Sequence, residues 1–381
     1  MLTARFHDSL DDIDATTWDG LIPDANPFVR HAFLDGLERT GCIRREWGWM
    51  PHHLTLHDGD RLVAVAPLYL KGNSHGEYVF DWGWAGAWER AGGDYYPKLL
   101  NAVPYSPVTG PRLLVGHDTH AHERRVALVT AMHDEARRLG LSSVHANFLT
   151  ERDADAFGEP WLSRFDWQYH WHNRDYRDFD DFLAALRHKK RKNIRRERAQ
   201  VATSNLECRV QHGNELTDDE WRQVHALYRH TFDSKGNQAT LTSAFFRHLA
   251  RTLGDAVVLA LARRDGDIVA MALFVRGDDT LYGRYWGARE HVPSLHFELC
   301  YYRGIDYAIT HALARFEPGA QGQHKLARGF VPVRTRSRHY LAHPAFREAV
   351  AASLFDEAAA LDAWGRELKS HSPYSAAGRR A

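Results

Sequence analysis

The chain has 381 residues, 44% of them apolar and 26% charged, a balance that excludes a wholly disordered or fibrous protein and suits two or three globular cores. Lys plus Arg and Asp plus Glu both number 49, so the formal charge is zero and the chain is no dedicated nucleic-acid coat. The three cysteines, Cys42, Cys208 and Cys300, form no CxxC pair, which points to a reducing cytoplasm with neither structural disulfide nor cysteine zinc site.

From the N-terminus, residues 1–14 lack a basic start and an apolar run, so no secretory signal is expected. No stretch approaches about 18 uninterrupted apolar residues, so no helix should span a membrane. Peripheral contact with a membrane's inner face stays open. Helices are expected near 14–20 and 28–40, and strands near 53–58, 61–71 and 77–82. An amphipathic helix follows at 119–139, with Val126, Val129, Met132 and Leu139 on one face, then a short strand at 142–148. The second half predicts helices near 178–202, 217–232 and 242–252, with strands near 256–263, 267–276 and 280–287. A helix at 294–314, a strand-loop-strand region to about 341 and a helix at 344–368 complete it.

The two halves repeat each other. The run Asp58-Gly-Asp-Arg-Leu-Val-Ala-Val-Ala resembles Asp265-Gly-Asp-Ile-Val-Ala-Met-Ala, an Asp-Gly turn entering a β-rich run in each case. Gly76-Glu-Tyr with Asp81-Trp82 then matches Gly283-Arg-Tyr-Trp286 at the same offset of about 207 residues. The fold class read from this is α/β (α+β) with mixed sheets, two tandem domains related by internal duplication. The domains are expected at 1–174 and 175–369, with a disordered tail at 370–381.

Three constellations could carry chemistry. The first is a basic run, in which Lys189, Lys190, Arg191, Lys192 and Arg195 could hold a donor's phosphates by charge and forked hydrogen bonds. A solvated helix face explains the same run. The second lies where the strand around Arg284, Tyr285 and Trp286 leads into a helix carrying His296, Glu298 and Tyr302. Backbone N–H groups at such a helix start could stabilise an oxyanion, and Glu298 could act as base. The third is the Gly-rich stretch 319–332, with Gln321, Gln323, His324, Lys325 and Arg328. Glycines let backbone approach a ligand, and His324 is a second candidate base. His117, Asp118, His120, His122 and Glu123 read as a polar loop and helix start, so no metal is expected. There is no GxGxxG, Walker loop or GxSxG.

Several stretches together resemble the FemAB-like family of N-acyltransferases, within the acetyltransferase-fold superfamily. They are Gly76-Glu-Tyr-Val-Phe-Asp81, Tyr95-Tyr-Pro-Lys-Leu99, Pro107-Val-Thr-Gly-Pro-Arg112, the basic run to Arg198, Tyr282-Gly-Arg-Tyr-Trp-Gly287, Leu295-His-Phe-Glu298 and Gly319-Ala-Gln-Gly-Gln-His-Lys325. The resemblance, covering about 5–369, implies two tandem acetyltransferase-like (GNAT) domains. It implies transfer of an acyl or aminoacyl group to an amine, with a peptidoglycan-precursor-like peptide as one acceptor. The family pattern carries an acid where this chain has Gln323, which leaves the base to Glu298 or His324. The donor is an acyl-CoA or an aminoacyl-tRNA. Residues after Trp286 lack the [Q/R]xxGx[G/A] loop with which acetyl-CoA enzymes of this fold grip pyrophosphate, and Arg251-Thr-Leu-Gly-Asp-Ala256 fits the letters ahead of its strand. Two other readings are a module that recognises cell-wall peptide or glycan without chemistry, and RNA binding through residues 187–198.

Overall fold

The computed structural model describes residues 2–320 and 322–375, so Gln321 and the tail from residue 376 lie outside the described residues. The chain forms two compact units, not divided by one cut near residue 174. The first takes the residues up to Trp167 and Arg334–Trp364, and the second takes Gln168–Val333 and the residues from Gly365.

In the first unit, Leu2–His7, His53–Asp58 and Arg61–Ala66 make a three-stranded antiparallel sheet. Pro67, which cannot donate to a ladder, separates this hairpin from Leu68–Lys71. That strand pairs antiparallel with Lys98–Asn101, which runs parallel to Ser143–Asn147. The parallel step needs a crossover, and helix Ala121–Arg138 supplies it. Residues 337–341 of strand Val331–Leu341 then pair antiparallel with Ser143–Asn147. The crossover helix buries Leu128, Val129, Met132 and Ala136 against Leu99, Val144 and Ala146. Its apolar face is therefore turned from the expected one, and Val126 and Leu139 are exposed. Arg125 occupies that side of the helix, tied to buried Asp153 at 3.0 Å.

The second unit repeats this order of pairings. Glu207–His212, Val257–Arg264, Asp267–Arg276 and Thr280–Ala288 form an antiparallel run. The hairpin turn is Asp265-Gly266, both at positive φ (52° and 92°), the turn whose twist matches the flanking strands. Thr280–Ala288 then runs parallel to Arg315–Glu317 over a helical crossover, and Arg315–Glu317 pairs antiparallel with the His172 end of Leu162–His172. An antiparallel hairpin, a helix-bridged parallel step and a closing antiparallel strand thus occur in each unit. The chain is a tandem α/β fold with mixed sheets.

Three local expectations are corrected. Residues 77–82 form no strand, because Glu77 and Asp81 turn inward onto buried Lys98 and Tyr78 sits at φ 61°; the next element is helix Trp82–Arg90. The helix expected at 178–202 is two, Phe179–Ala185 and His188–Ala202. The break is where Arg187 donates its N–H to Pro373 O and Leu186 bridges Tyr374. The tail likewise does not begin at Ser370: Tyr374 is buried and donates its hydroxyl to Gly329 O at 2.6 Å.

Candidate functional site

The second unit's crossover begins at Leu295–Phe297, passes through a π-helical turn at Glu298–Tyr302 and continues as Arg303–Thr310. Such turns are uncommon and often mark functional positions. Here the turn carries two candidate residues onto helix His188–Ala202. The Glu298 carboxylate is buried and receives Arg198 through Nε (3.1 Å) and Nη2 (3.2 Å), and Arg303 through Nε at 2.9 Å. Tyr302, fully buried, donates its hydroxyl to Glu197. Arg328 closes the group, reaching Glu197 with Nη2 (2.8 Å), Tyr302 Oη with Nε (3.1 Å) and His324 O with Nη1 (2.8 Å). Its guanidinium lies 3.4 Å from the centre of the Phe297 ring. Burial, then the bond to Glu197, pushes the Tyr302 hydroxyl well above its ordinary pKa.

A second group gathers on the short 3₁₀ turn Gln323–Arg328. The exposed His324 has Nε2 2.8 Å from Tyr301 Oη. Burial, with Arg328 and Lys325 nearby, holds His324 below its ordinary value, so it is a neutral imidazole at pH 7. His296 packs edge-on against Trp286 (5.2 Å) and Tyr301 (5.3 Å) and is lowered to about 4, chiefly by burial. Buried Lys325 is lowered to about 8 by burial and donates to Gly319 O (2.7 Å) and Ala320 O (3.1 Å). It thereby ties the Gly-rich stretch to the turn. Gln323 is exposed.

The family model FemAB-like, described as peptidoglycan biosynthesis/recognition, matches residues 9–376. The chain belongs to the FemAB-like family. No curated protein matches this sequence. Among solved structures, FemX superposes with a TM-score of 0.52 at 10% identity, covering 89% of this chain and 98% of its own. L-PGS from Bacillus licheniformis gives 0.52 at 8% identity, with 87% and 97% covered. The C-terminal domain of a putative lysylphosphatidylglycerol synthetase from Agrobacterium fabrum gives 0.51 at 14% identity, with 90% and 94% covered. At these identities the likeness is one of fold.

Within this FemAB-like chain the expected site residues fall into three places. Glu298, Tyr302 and Arg328 meet at Glu197 and Arg198, while His324, Trp286 and His296 meet around Tyr301. Tyr285 belongs to neither. Strand side chains alternate, and opposite Trp286 the Tyr285 ring packs on Tyr228 (5.1 Å) and Phe246 (6.2 Å), with the Arg284 guanidinium over it. Along helix His188–Ala202, Lys189, Lys192 and Arg195 are exposed and Lys190 and Arg191 half-buried. Arg195 reaches Asp180 at 3.1 Å. The amides of Leu295 and Glu298 at the crossover start are taken by Val292 O and Ser294 O, so neither is left for an oxyanion. The stretch Arg251–Ala256 closes helix Ser243–Leu253 instead of opening one, so it makes no pyrophosphate cradle.

Sequence reasoning passed over Glu197, Tyr301 and Arg303. Glu197 had a signal, being the one acid inside the basic run. Among the described residues, no group of three or more His, Cys, Asp or Glu is placed to hold a metal ion, and no helix is long and apolar enough to cross a membrane.

Proposed function

We propose that this chain is an N-acyltransferase that moves an aminoacyl or acyl group onto an amine, with a peptidoglycan-precursor-like peptide as acceptor. The observation that carries this is His324: an exposed, neutral imidazole on a Gly-bracketed turn, tied to Tyr301 and backed by half-buried His296. In the tautomer with the proton on Nε2, His324 donates to Tyr301 Oη and keeps Nδ1 free. Nδ1 then takes the proton that the amine must lose as it attacks the activated carbonyl. Glu298 is less suited to that task, since two guanidinium groups already occupy its oxygens. It is better read as the anchor that fixes the crossover, with Tyr302 and Arg328, onto helix His188–Ala202.

The same helix supports the donor assignment. Its first turns carry Lys189, Lys190, Arg191 and Lys192, where the helix dipole disfavours cations. A phosphate-bearing donor would relieve that repulsion. Lacking a pyrophosphate loop, the chain suits an aminoacyl-tRNA, or an acyl-CoA held by side-chain cations. The exposed Gln323, on the same turn as His324, belongs to the same proposal as a donor contact, with Lys325 holding the Gly-rich stretch in place.

Recognition without chemistry is the second reading, favoured by Gln323 where the family pattern has an acid. Purified protein incubated with radiolabelled aminoacyl-tRNAs or acetyl-CoA, and with a lysine-containing peptide, separates the two. Acyl-peptide formed in catalytic amounts is expected. Ligand-dependent thermal stabilisation with no product at any enzyme concentration would leave recognition as the function. RNA binding that falls steeply with salt and is equal for charged and uncharged tRNA would favour a plain RNA-binding protein instead.

A further inference from the structure

A buried charge cluster lies in the first unit, among residues given no catalytic role above. Lys98 is fully buried and spends its three ammonium hydrogens on Ser74 Oγ (2.8 Å), Glu77 Oε2 (2.9 Å) and Asp81 Oδ2 (2.6 Å). Tyr95 donates to Asp81 Oδ2 at 2.7 Å. Behind it stand two buried histidines, with His145 Nδ1 2.7 Å from His339 Nδ1. Burial keeps both well below their ordinary values, so neither adds charge. Lys71 lies beside Lys98 in the sheet, its ammonium 3.6 Å from the centre of the Trp49 ring and bonded to His75 O.

Counting hydrogens shows what the cluster offers. Ser74 has one hydroxyl hydrogen, and it goes to Asp81 Oδ1. Ser74 Oγ already accepts from Lys98, so the 2.8 Å contact with Tyr96 Oη has Tyr96 donating. The half-buried Tyr96 therefore turns its hydrogen inward and keeps oxygen lone pairs for something outside. Glu77 Oε1, on a residue 2% exposed, has no partner among the described residues. Tyr96 Oη is an acceptor, and Glu77 Oε1 is one when its carboxyl is ionised, as at pH 8; both then call for an N–H or O–H donor.

The covering loop adds a second, independent sign. Residues 78, 80 and 82 of it are aromatic and exposed: Tyr78 36%, Phe80 43% and Trp82 50%. Phe80 and Trp82 stack at 4.7 Å, and the His75 ring lies 5.9 Å from Trp82. Exposed aromatic rings on the loop that also carries buried Glu77 and Asp81 suit a cation, which ring quadrupoles and acceptors attract together. We propose that loop 72–82 and Tyr96 of the first unit bind the ammonium group of a ligand, with Tyr96 Oη and Glu77 Oε1 as acceptors and the Phe80/Trp82 pair as the aromatic wall. Naming that ligand as the amine to be acylated rests on the transferase reading; the binding does not.

The test is an indole ¹⁵N NMR titration of the full chain with n-butylammonium chloride, against n-butanol as the neutral match. The Trp82 signal, identified by its loss in Trp82→Phe, should move saturably with the ammonium and stay still with the alcohol. Tyr96→Phe should weaken binding roughly tenfold, the scale of one hydrogen bond to a charged group. Phe80→Ala, on the surface, should weaken it severalfold, and it serves if Glu77→Gln does not fold. Equal response to the alcohol, no saturable shift, or unchanged affinity in Tyr96→Phe and Phe80→Ala overturns the site. Acyl transfer without any ammonium shift overturns this site alone; a shift in a protein that transfers nothing overturns the transferase reading alone.

Discussion

Lys98→Met is expected to cost about 3–5 kcal/mol of stability at pH 8, the range for removing one partner of a buried ion pair. Both carboxylates that face Lys98 are themselves buried, at 2% and 3% exposure for Glu77 and Asp81. Methionine fills the volume but leaves them without a counter-charge, and solvent does not reach in to replace it. The loss should be smaller at pH 5. In the native protein the Asp81 carboxyl is held well below its ordinary value; burial opposes this, and the Lys98 charge with the hydrogen bonds from Lys98 and Ser74 outweighs it. A depressed carboxylate stabilises above its unfolded pKa of 3.8 and loses that stabilisation as pH falls. Without Lys98, burial of Asp81 is opposed chiefly by the hydrogen bonds from Ser74 and Tyr95, so its carboxyl should rise and the folded variant should bind a proton that relieves the penalty as pH drops.

Glu77 works in the opposite sense already in the native protein. Burial raises it from 4.5 to about 7 against the pull of Lys98. The folded state therefore holds a proton that the unfolded chain has lost between those values. Its contribution is present at low pH and fades as pH rises through 7. Glu77→Gln should accordingly flatten the decline in Tm over that window. Thermal melts of the native protein, Lys98→Met and Lys98→Met/Asp81→Asn at pH 5 and 8 would check the set. The double variant should recover part of the loss, because both charges are then gone. A Lys98→Met protein as stable as native at pH 8 would falsify the ion-cluster account.

How much of this was readable in the linear chain depends on how local the signal was. The paired Asp-Gly hairpins and the helix that follows them in each half follow from turn chemistry and periodicity, which act over a few residues. The face of helix Ala121–Arg138 was read wrongly because Arg124 and Arg125 are buried in it, and periodicity counts only apolar side chains. The Lys98 cluster was invisible for another reason. Its members come from residues 74, 77, 81, 95, 98, 145 and 339, and only strand order makes them neighbours. Glu77, Asp81, Tyr95 and Lys98 lie in two of the family-like stretches, but nothing in the sequence says that those stretches meet. Glu298 and His324 were nominated for the same task, yet they have different partners: the π turn commits Glu298 to Arg198 and Arg303, while His324 looks to Tyr301. Spacing along a helix says which side chains share a face, not which guanidinium arrives from another segment to claim one.

That difference gives the second large effect. His324→Ala should lower kcat/KM for amine acylation by about 10²–10⁴, the usual contribution of a positioned general base, with little change in KM. His324 is exposed and its ring fills no core, so the variant should melt close to native. The active form is the neutral imidazole, whose pKa lies below 6.5 through burial and the cations Arg328 and Lys325. The rate should therefore be flat near neutrality and fall only as pH drops through that lowered value, an acid limb absent from His324→Ala. Tyr301→Phe should move the limb lower still, because Tyr301 Oη accepts the Nε2 hydrogen and so favours the protonated ring. Glu298→Gln should behave in the contrary way, leaving Arg198 and Arg303 short of a counter-ion. It should lower Tm while the rate per folded molecule and the acid limb persist. If Glu298→Gln abolishes turnover in folded protein and His324→Ala does not, the base is Glu298, and the two guanidinium groups must leave it when substrate arrives.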